Sequence, residues 1–472
     1  MKPIGEEVLY LSVGELGELI RTRQLSPVDL LEGYLERSQR LNPKLNAYAT
    51  LTKERAYQRA RAAEAEIAAG KYRGPLHGIP YAAKDLAAVK GYPTTWGAKP
   101  YANQHFEADA WVIRKLDEAG AVLMGKAAMI ELAGGLGYEH GSASLTGAAR
   151  NPWNTDCWTC GSSSGSGAVV AAALAAFALG SDTRGSIICP SSWCGVSGMR
   201  PSFGRVGRSG CMTISWTMDK IGPMCRSAQD CGLVLAAISG HDPDDPDSLP
   251  SEAAGFRYRE GGGVKGLRIG RLTNILNHPD VALESAVDES VRVLEKQGAK
   301  VYDAKIPDGP YEEVAELTIL IEAAAAFAEL IHSGKCAELA SPLGRINGYV
   351  SEEISGADYL RAQRVRKVLR ERISLMFEQF DVLVASGEGS VAQPLSDPPE
   401  EESTDEPLER RAPDGISSLF GLPAVAVPCG FSKTKLPFSV QFLAQAQADQ
   451  TALNAATVFQ SNTDWHRQSP KL

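Results

Sequence analysis

Two short stretches of glycine and hydroxyl residues carry the chemical potential of this 472-residue chain. The first is Gly161-Ser162-Ser163-Ser164-Gly165-Ser166-Gly167, and an apolar run over residues 168–179 follows it directly. Glycine and serine alone cannot pack a core; such a stretch lets backbone approach a ligand closely and presents hydroxyls. The second stretch, Gly180-Ser181-Asp182-Thr183-Arg184-Gly185-Ser186, stands at the far end of the apolar run. The run predicts one buried helix over residues 168–179, joining two hydroxyl-rich turns that face a common pocket. Upstream, Gly78-Ile79-Pro80-Tyr81-Ala82-Ala83-Lys84-Asp85 puts one lysine at the end of a small, apolar strand. Desolvation lowers the pKa of such a lysine and makes it a base. A Ser–Ser–Lys set without histidine is one way to activate an oxygen nucleophile.

Rival chemistries fit less well. Gly161-x-Ser163-x-Gly165 has the pattern of an α/β-hydrolase elbow, but residues 151–160 before it are Pro- and Asn-rich, unlike a strand. The downstream histidines are His241, His278, His332 and His466, and none sits at a natural triad position. A phosphate-cradling P-loop needs Gly-Lys-Ser/Thr at its end, where this chain has Gly165-Ser166-Gly167. Cys157-x-x-Cys160 is half a zinc site with no second pair at suitable spacing.

The motifs together resemble those of the amidase signature family, over nearly the whole chain from about Ser26 to the C-terminus. Gly74-Pro75-Leu76-His77-Gly78-Ile79-Pro80 with Lys84-Asp85 is similar to that family's lysine motif. Residues 160–166 resemble its Gly-Gly-Ser-Ser-Gly-Gly-Ser stretch, and residues 180–186 its Gly-Ser-Asp-Thr-Gly-Gly-Ser stretch. Asn151-Pro152-Trp153, Asp219 with Gly222-Pro223-Met224, Gly421-Leu422-Pro423 and Trp465-His466 match as well. Carried over, the resemblance implies Ser186 as nucleophile, Ser162 as bridging serine and Lys84 as base. It also implies a cis peptide bond before Ser162. The oxyanion would fall among the backbone N–H groups of Thr183, Arg184, Gly185 and Ser186, each such donor being worth about 3–4 kcal/mol in acyl transfer. Ser163 and Asp182 would support the turns by hydrogen bonds. No metal and no cofactor is implied.

Three departures stand out. Cys160 and Ser164 replace glycines of the first turn and are small enough to be tolerated. Arg184 replaces a glycine two residues before Ser186, where a positive φ would strain it. Otherwise its guanidinium lines the pocket or pairs with an acid, and it could supply the charge missing at Ile188, where the family usually has arginine.

The remaining elements must hold these residues in place. Ser26-Pro27 with Asp29 is a helix start, closed by Asn42-Pro43, and residues 54–69 form a second helix ending at Gly70. Residues 1–70 therefore read as a helical segment, and residues 74–235 as the core that carries the motifs. Residues 79–83 and 121–125 read as strands around a helix-like stretch at 108–119, which gives an α/β core; the family resemblance implies the amidase signature fold, a mixed sheet covered by helices on both faces. Strands at 424–427 and 437–443 and a helix at 451–460 complete it. Residues 300–390 read as a helical cover, with helices at 311–331 and 360–380, and residues 396–407 as a solvated loop at a pocket mouth. Because the motifs run from Gly74 to Trp465, we expect one domain over residues 1–472.

Composition limits the partners. Forty-eight basic against fifty-seven acidic residues give a net charge of −9, which disfavours nucleic acid. The most apolar run is about a dozen residues, short of the roughly 20 that span a bilayer. Nine cysteines without a secretory leader predict reduced thiols in a cytoplasmic protein. The expected partner is a small-molecule amide, and a homodimer is left open. The expected reaction is hydrolysis of a small or aryl amide by a stand-alone enzyme, with esters, anilides and carbamates (a urethanase activity) open to the same attack. The alternatives are the glutaminase component of a tRNA-dependent amidotransferase and a catalytically silent scaffold.

Overall fold

Short buried strands alternating with helices build one mixed sheet. The computed structural model describes residues 4–275, 281–395 and 414–472. In chain order the strands are β1 (Tyr48–Leu51), β2 (Pro80–Lys84), β3 (Val122–Ala127), β4 (Arg150–Asn151), β5 (Asn154–Trp158), β6 (Phe177–Asp182) and β7 (Ser197–Arg200). They continue with β8 (Lys220–Cys225), β9 (Arg268–Leu272), β10 (Lys300–Ala304), β11 (Val382–Ser386), β12 (Ala424–Phe431) and β13 (Pro437–Ala444). Among the described residues eleven of them join in the order β1-β3-β2-β6-β8-β7-β12-β13-β11-β9-β10, and β4 pairs with β5 apart from the rest. β2 runs parallel to β3 and β6, whereas β6 runs antiparallel to β8. Every residue of β2, β3, β6 and β8 is buried. Strands covered on both faces carry continuous apolar runs, which is why Tyr81-Ala82-Ala83 shows no alternation.

The helix Pro27–Leu45 begins where the sequence places it. Ser26 Oγ accepts the N–H groups of Val28 and Asp29, at 3.1 and 3.3 Å. It ends two residues later than Asn42-Pro43 suggests, because the Asn42 side chain turns back to accept the N–H groups of Ala47 and Tyr48, at 2.8 and 2.9 Å. The first seventy residues are not all helical. β1 interrupts them and pairs antiparallel with β3 at the edge of the sheet.

The apolar run at 168–179 is a more consequential correction. The helix spans only Ser164–Ala171; Ala173 then takes a positive φ of 50°, and β6 begins at Phe177. An all-apolar run has no periodicity, so it does not distinguish a buried helix from a helix followed by a buried strand. The two serine turns are thus joined by a helix, a turn and a central strand, and Ser181 and Asp182 are strand residues.

Residues 300–390 also differ from a purely helical cover, since β10 and β11 lie at its two ends. Between them run the helices Tyr311–Ala326, Ala328–His332, Pro342–Glu352 and Gly356–Gln379. Tyr311, Val314, Ala315, Leu369 and Ile373 pack onto Ile188 and Met218 in one apolar cluster. That seat accounts for Ile188: an arginine there would bury a charge among aliphatic side chains. Met218 is core, while Trp216 is 40% exposed. Residues 396–407, read as a loop from sequence, lie outside the described residues.

Candidate active site

Lys84 closes β2 and is buried. Its Nζ donates to Ser162 Oγ at 2.7 Å and to Ser181 Oγ at 2.8 Å. Burial strips water from the ammonium and draws its pKa down to about 7, although Asp182 and Asp219 pull the other way. A large share of Lys84 is therefore the free amine at neutral pH, the form that accepts a proton.

Ser162 is fully buried and follows Gly161 through a cis peptide bond. Ser163 fastens this turn to β6: its Oγ donates to Ser181 O and accepts from Ser181 N–H, both at 3.2 Å. Its own N–H donates to the Ser186 carbonyl at 3.3 Å, so the two serine turns meet there. Ser186 is half-buried, and among the described residues its Oγ makes no hydrogen bond to Ser162. Gly165 permits this assembly, because a Cβ there would stand 2.3 Å from Ala47 O and 2.5 Å from Ala128 N.

The second turn is organised by a buried carboxylate. Asp182 accepts the N–H groups of Gly185 at 2.9 Å and Ile187 at 2.8 Å, the Ser418 hydroxyl at 3.2 Å and the Arg200 guanidinium at 3.3 Å. Burial works to raise its pKa, but Arg200, Lys220 and the N–H donors outweigh it and hold the carboxyl below its usual value. Gly185, with φ of +92°, supplies the sharp bend. This geometry corrects one expectation. The Gly185 N–H is spent on Asp182, as a buried carboxylate demands, so three of the four expected oxyanion donors are left: Thr183, Arg184 and Ser186. The Thr183 hydroxyl donates to Asp219 at 2.7 Å, and Asp219 also accepts Ile214 N–H at 2.7 Å and Ser215 N–H at 3.0 Å.

Arg184 lies outside the left-handed region, so the turn does not strain it. Its Nη1 stands 3.6 Å from Glu312 and 3.9 Å from Glu316, both on the cover helix Tyr311–Ala326. Arg184 thus ties the second serine turn to the cover, and at Ile188 the apolar seat needs no charge. Because the side chain is a third exposed, the pair contributes less than about 1 kcal/mol. In Arg184→Gly, we expect a stability loss of that size by thermal unfolding, with KM raised about threefold as the cover loosens. Unchanged kinetics and stability would contradict the tie.

Sequence reasoning misses four side chains here. Ser181 shares Lys84 with Ser162, and reading 177–182 as a strand beside β2 would find it. Lys220, buried beside Asp182, has its pKa drawn down by burial to about 7. Arg200 reaches the same carboxylate from β7. Tyr138 lies over the first turn, its hydroxyl 3.0 Å from where a Cβ on Gly161 would be. Burial pushes that phenol up to about 12, so it stays an O–H donor. No pattern marks Lys220, Arg200 or Tyr138 in the sequence, because only tertiary packing brings them in.

Cysteine usage needs a larger correction. Cys160, just before the first turn, and Cys189, in the helix Ile188–Cys194 after the second, form a disulfide rather than staying reduced; the other seven cysteines are free thiols. His77 is buried, and its Nδ1 accepts Arg73 N–H at 3.2 Å, a structural role. Among the described residues no helix is long and apolar enough to cross a membrane.

Known proteins share this architecture. The Amidase family model matches residues 29–453. A glutamyl-tRNA(Gln) amidotransferase component from Moorella thermoacetica, the one designated A, is 35% identical, covering 99% of each chain. Among solved structures, a chain from a vestigial protein complex bearing on the origins of an s-triazine catabolic enzyme superposes with a TM-score of 0.87 at 30% identity, over 98% of this chain and 100% of that one. The peptide amidase of Stenotrophomonas maltophilia gives 0.86 at 29%, over 98% of both. A match that takes in the lysine strand, both serine turns and the closing strands leaves one assignment: the chain belongs to the amidase signature family of amide-hydrolysing enzymes.

Proposed function

We propose that this chain hydrolyses the C–N bond of a small or aryl amide through an acyl-enzyme on Ser186. The observation that carries the reading is the buried Lys84 amine 2.7 Å from Ser162 Oγ, with its pKa drawn down to about 7. When Lys84 is neutral the contact reverses, and the Ser162 O–H donates to the amine lone pair. Ser186 Oγ attacks the substrate carbonyl as its proton passes to Ser162 and the Ser162 proton to Lys84. The side-chain contact between Ser162 and Ser186 closes when substrate seats, as catalytic hydrogen bonds often do. The oxyanion takes the N–H groups of Thr183, Arg184 and Ser186. As the intermediate collapses, Ser162 returns a proton to the departing amine, and water then releases the acid from Ser186. Esters, anilides and carbamates present the same carbonyl to the same attack.

The names of curated relatives favour a second reading, a glutaminase that releases ammonia from glutamine within a tRNA-dependent complex. The likeness to a peptide amidase favours a stand-alone enzyme with a small-molecule amide as its partner. The Lys84–Ser162 contact argues against a silent scaffold. The isolated chain, offered an anilide, an aryl carbamate, an aliphatic amide and glutamine, is expected to turn over the anilide or carbamate fastest. Turnover of glutamine alone would transfer the reading to the glutaminase, and turnover of none would remove both.

A further inference from the structure

Two serine turns must be held in register for a proton to pass between them. Ser163 and Lys84 tie the first turn to Ser181 on β6, but next to Ser186 itself the non-covalent link is thin. Ser163 N–H to Ser186 O is a long bond at 3.3 Å, and the two serine hydroxyls are not bonded to each other. A covalent link spans the same gap. Cys160 stands two residues before Ser162, Cys189 stands three after Ser186, and their sulfurs are joined across a sequence separation of 29. Cys160 leads into the first turn with a positive φ of 61°, and Cys189 lies in the helix Ile188–Cys194, where its N–H donates to Gly185 O at 2.8 Å. Each is 8% exposed, in a cluster with Cys157, Trp193 and Leu436 against the partly buried Trp153 and Trp158. That wall of indoles anchors one side of the bridge, so the bond transmits its constraint to the turns.

We propose that Cys160 and Cys189 are positioning residues for acyl transfer: their disulfide sets the separation of Ser162 and Ser186, and opening it slows the chemical step. The inference rests on the acyl-enzyme reading. A dithiol such as dithiothreitol opens the bridge by thiol–disulfide exchange; its two thiols become one cyclic disulfide, and Cys160 and Cys189 each gain a hydrogen as free thiols. A catalytic contact displaced by about 1 Å costs up to about a hundredfold in rate, so loss of this strap is expected to lower kcat by about tenfold or more.

The experiment uses the whole chain folded under oxidising conditions. Peptide mapping after thiol blocking is expected to recover the Cys160–Cys189 cross-linked peptide. Incubation with dithiothreitol, and separately the Cys160→Ser/Cys189→Ser double variant, are both expected to lower kcat about tenfold on the best amide substrate. KM should stay within about twofold, the melting temperature above that of the assay, and Ser186 labelling by a fluorophosphonate should slow in parallel. Oxidised glutathione restores the reduced wild type and leaves the double variant unchanged, and Cys157→Ser keeps the full response. Free Cys160 and Cys189 in the mapped protein, or an unchanged kcat and labelling rate once the bridge is open or removed, would overturn the proposal. Absence of any Ser186 adduct in the oxidised wild type would instead remove the acyl-enzyme reading, and this inference with it.

Discussion

Ser186→Ala is expected to lower kcat by about 10⁵–10⁶-fold while leaving the fold and KM nearly intact. Losing the nucleophile removes the covalent route, and what survives is binding and oxyanion stabilisation acting on water, a residue of about 10³–10⁴ over the uncatalysed reaction. The structural cost is small, because the side chain is half-buried and its hydroxyl bonds neither Ser162 nor another described residue. Stability should therefore stay within about 0.5 kcal/mol. Steady-state kinetics beside thermal unfolding separate the two effects: a large loss of kcat with an unmoved melting temperature assigns Ser186 to the chemistry. Retention of more than about a tenth of wild-type kcat would exclude it as nucleophile.

The second large effect concerns Lys84. Lys84→Met keeps most of the buried volume and removes the base, with an expected loss of about 10⁴ in kcat, the upper range for a positioned acid–base group. Lys84→Ala is the poorer test, since it opens a cavity and strands the hydroxyls of Ser162 and Ser181 without their partner. The wild type has a diagnostic pH limb. The base acts as the free amine, so kcat/KM rises with pH through about 7 and levels off above it, and Lys84→Met abolishes that limb. Stability follows the same group with a definite sign. The folded pKa, about 7, lies below the ordinary 10.5, so between those values the unfolded chain binds more protons and stability rises with pH. Lys220 has the same shift and adds to the stability slope without adding to the kinetic limb. A kcat/KM limb unchanged in Lys84→Met would assign the base elsewhere.

How much of this is legible in the sequence depends on local signal. Ser26-Pro27 announces a helix because a hydroxyl cap and an N1 proline act within one turn. The two glycine–serine turns stand out because glycine and serine at such density have few structural uses, and the family resemblance is what singles out Lys84, Ser162 and Ser186 within these motifs. The run at 168–179 misleads because twelve apolar residues satisfy a buried helix and a buried strand equally, and that ambiguity hides Ser181, the second hydroxyl on Lys84. Arg184 invites a reading of strain that the structure removes, since it lies outside the left-handed region and reaches Glu312 and Glu316. The Cys160–Cys189 bridge is invisible for a different reason. Cysteine spacing states no pairing; only the approach of the two turns, with Cα atoms 6.0 Å apart, does so. Support of the second turn by Asp182 is expected from its motif, but which N–H it consumes is a matter of backbone geometry that no sequence pattern fixes.

In the proposed reaction Ser186 carries the acyl group. Mass mapping of the whole chain after brief exposure to a fluorophosphonate, or to an aryl carbamate trapped before deacylation, tests it most directly. One adduct is expected, on the peptide bearing Ser186, absent in Ser186→Ala and forming faster as pH rises through about 7. An adduct on another residue, or sustained amide turnover with no adduct at Ser186, would contradict it.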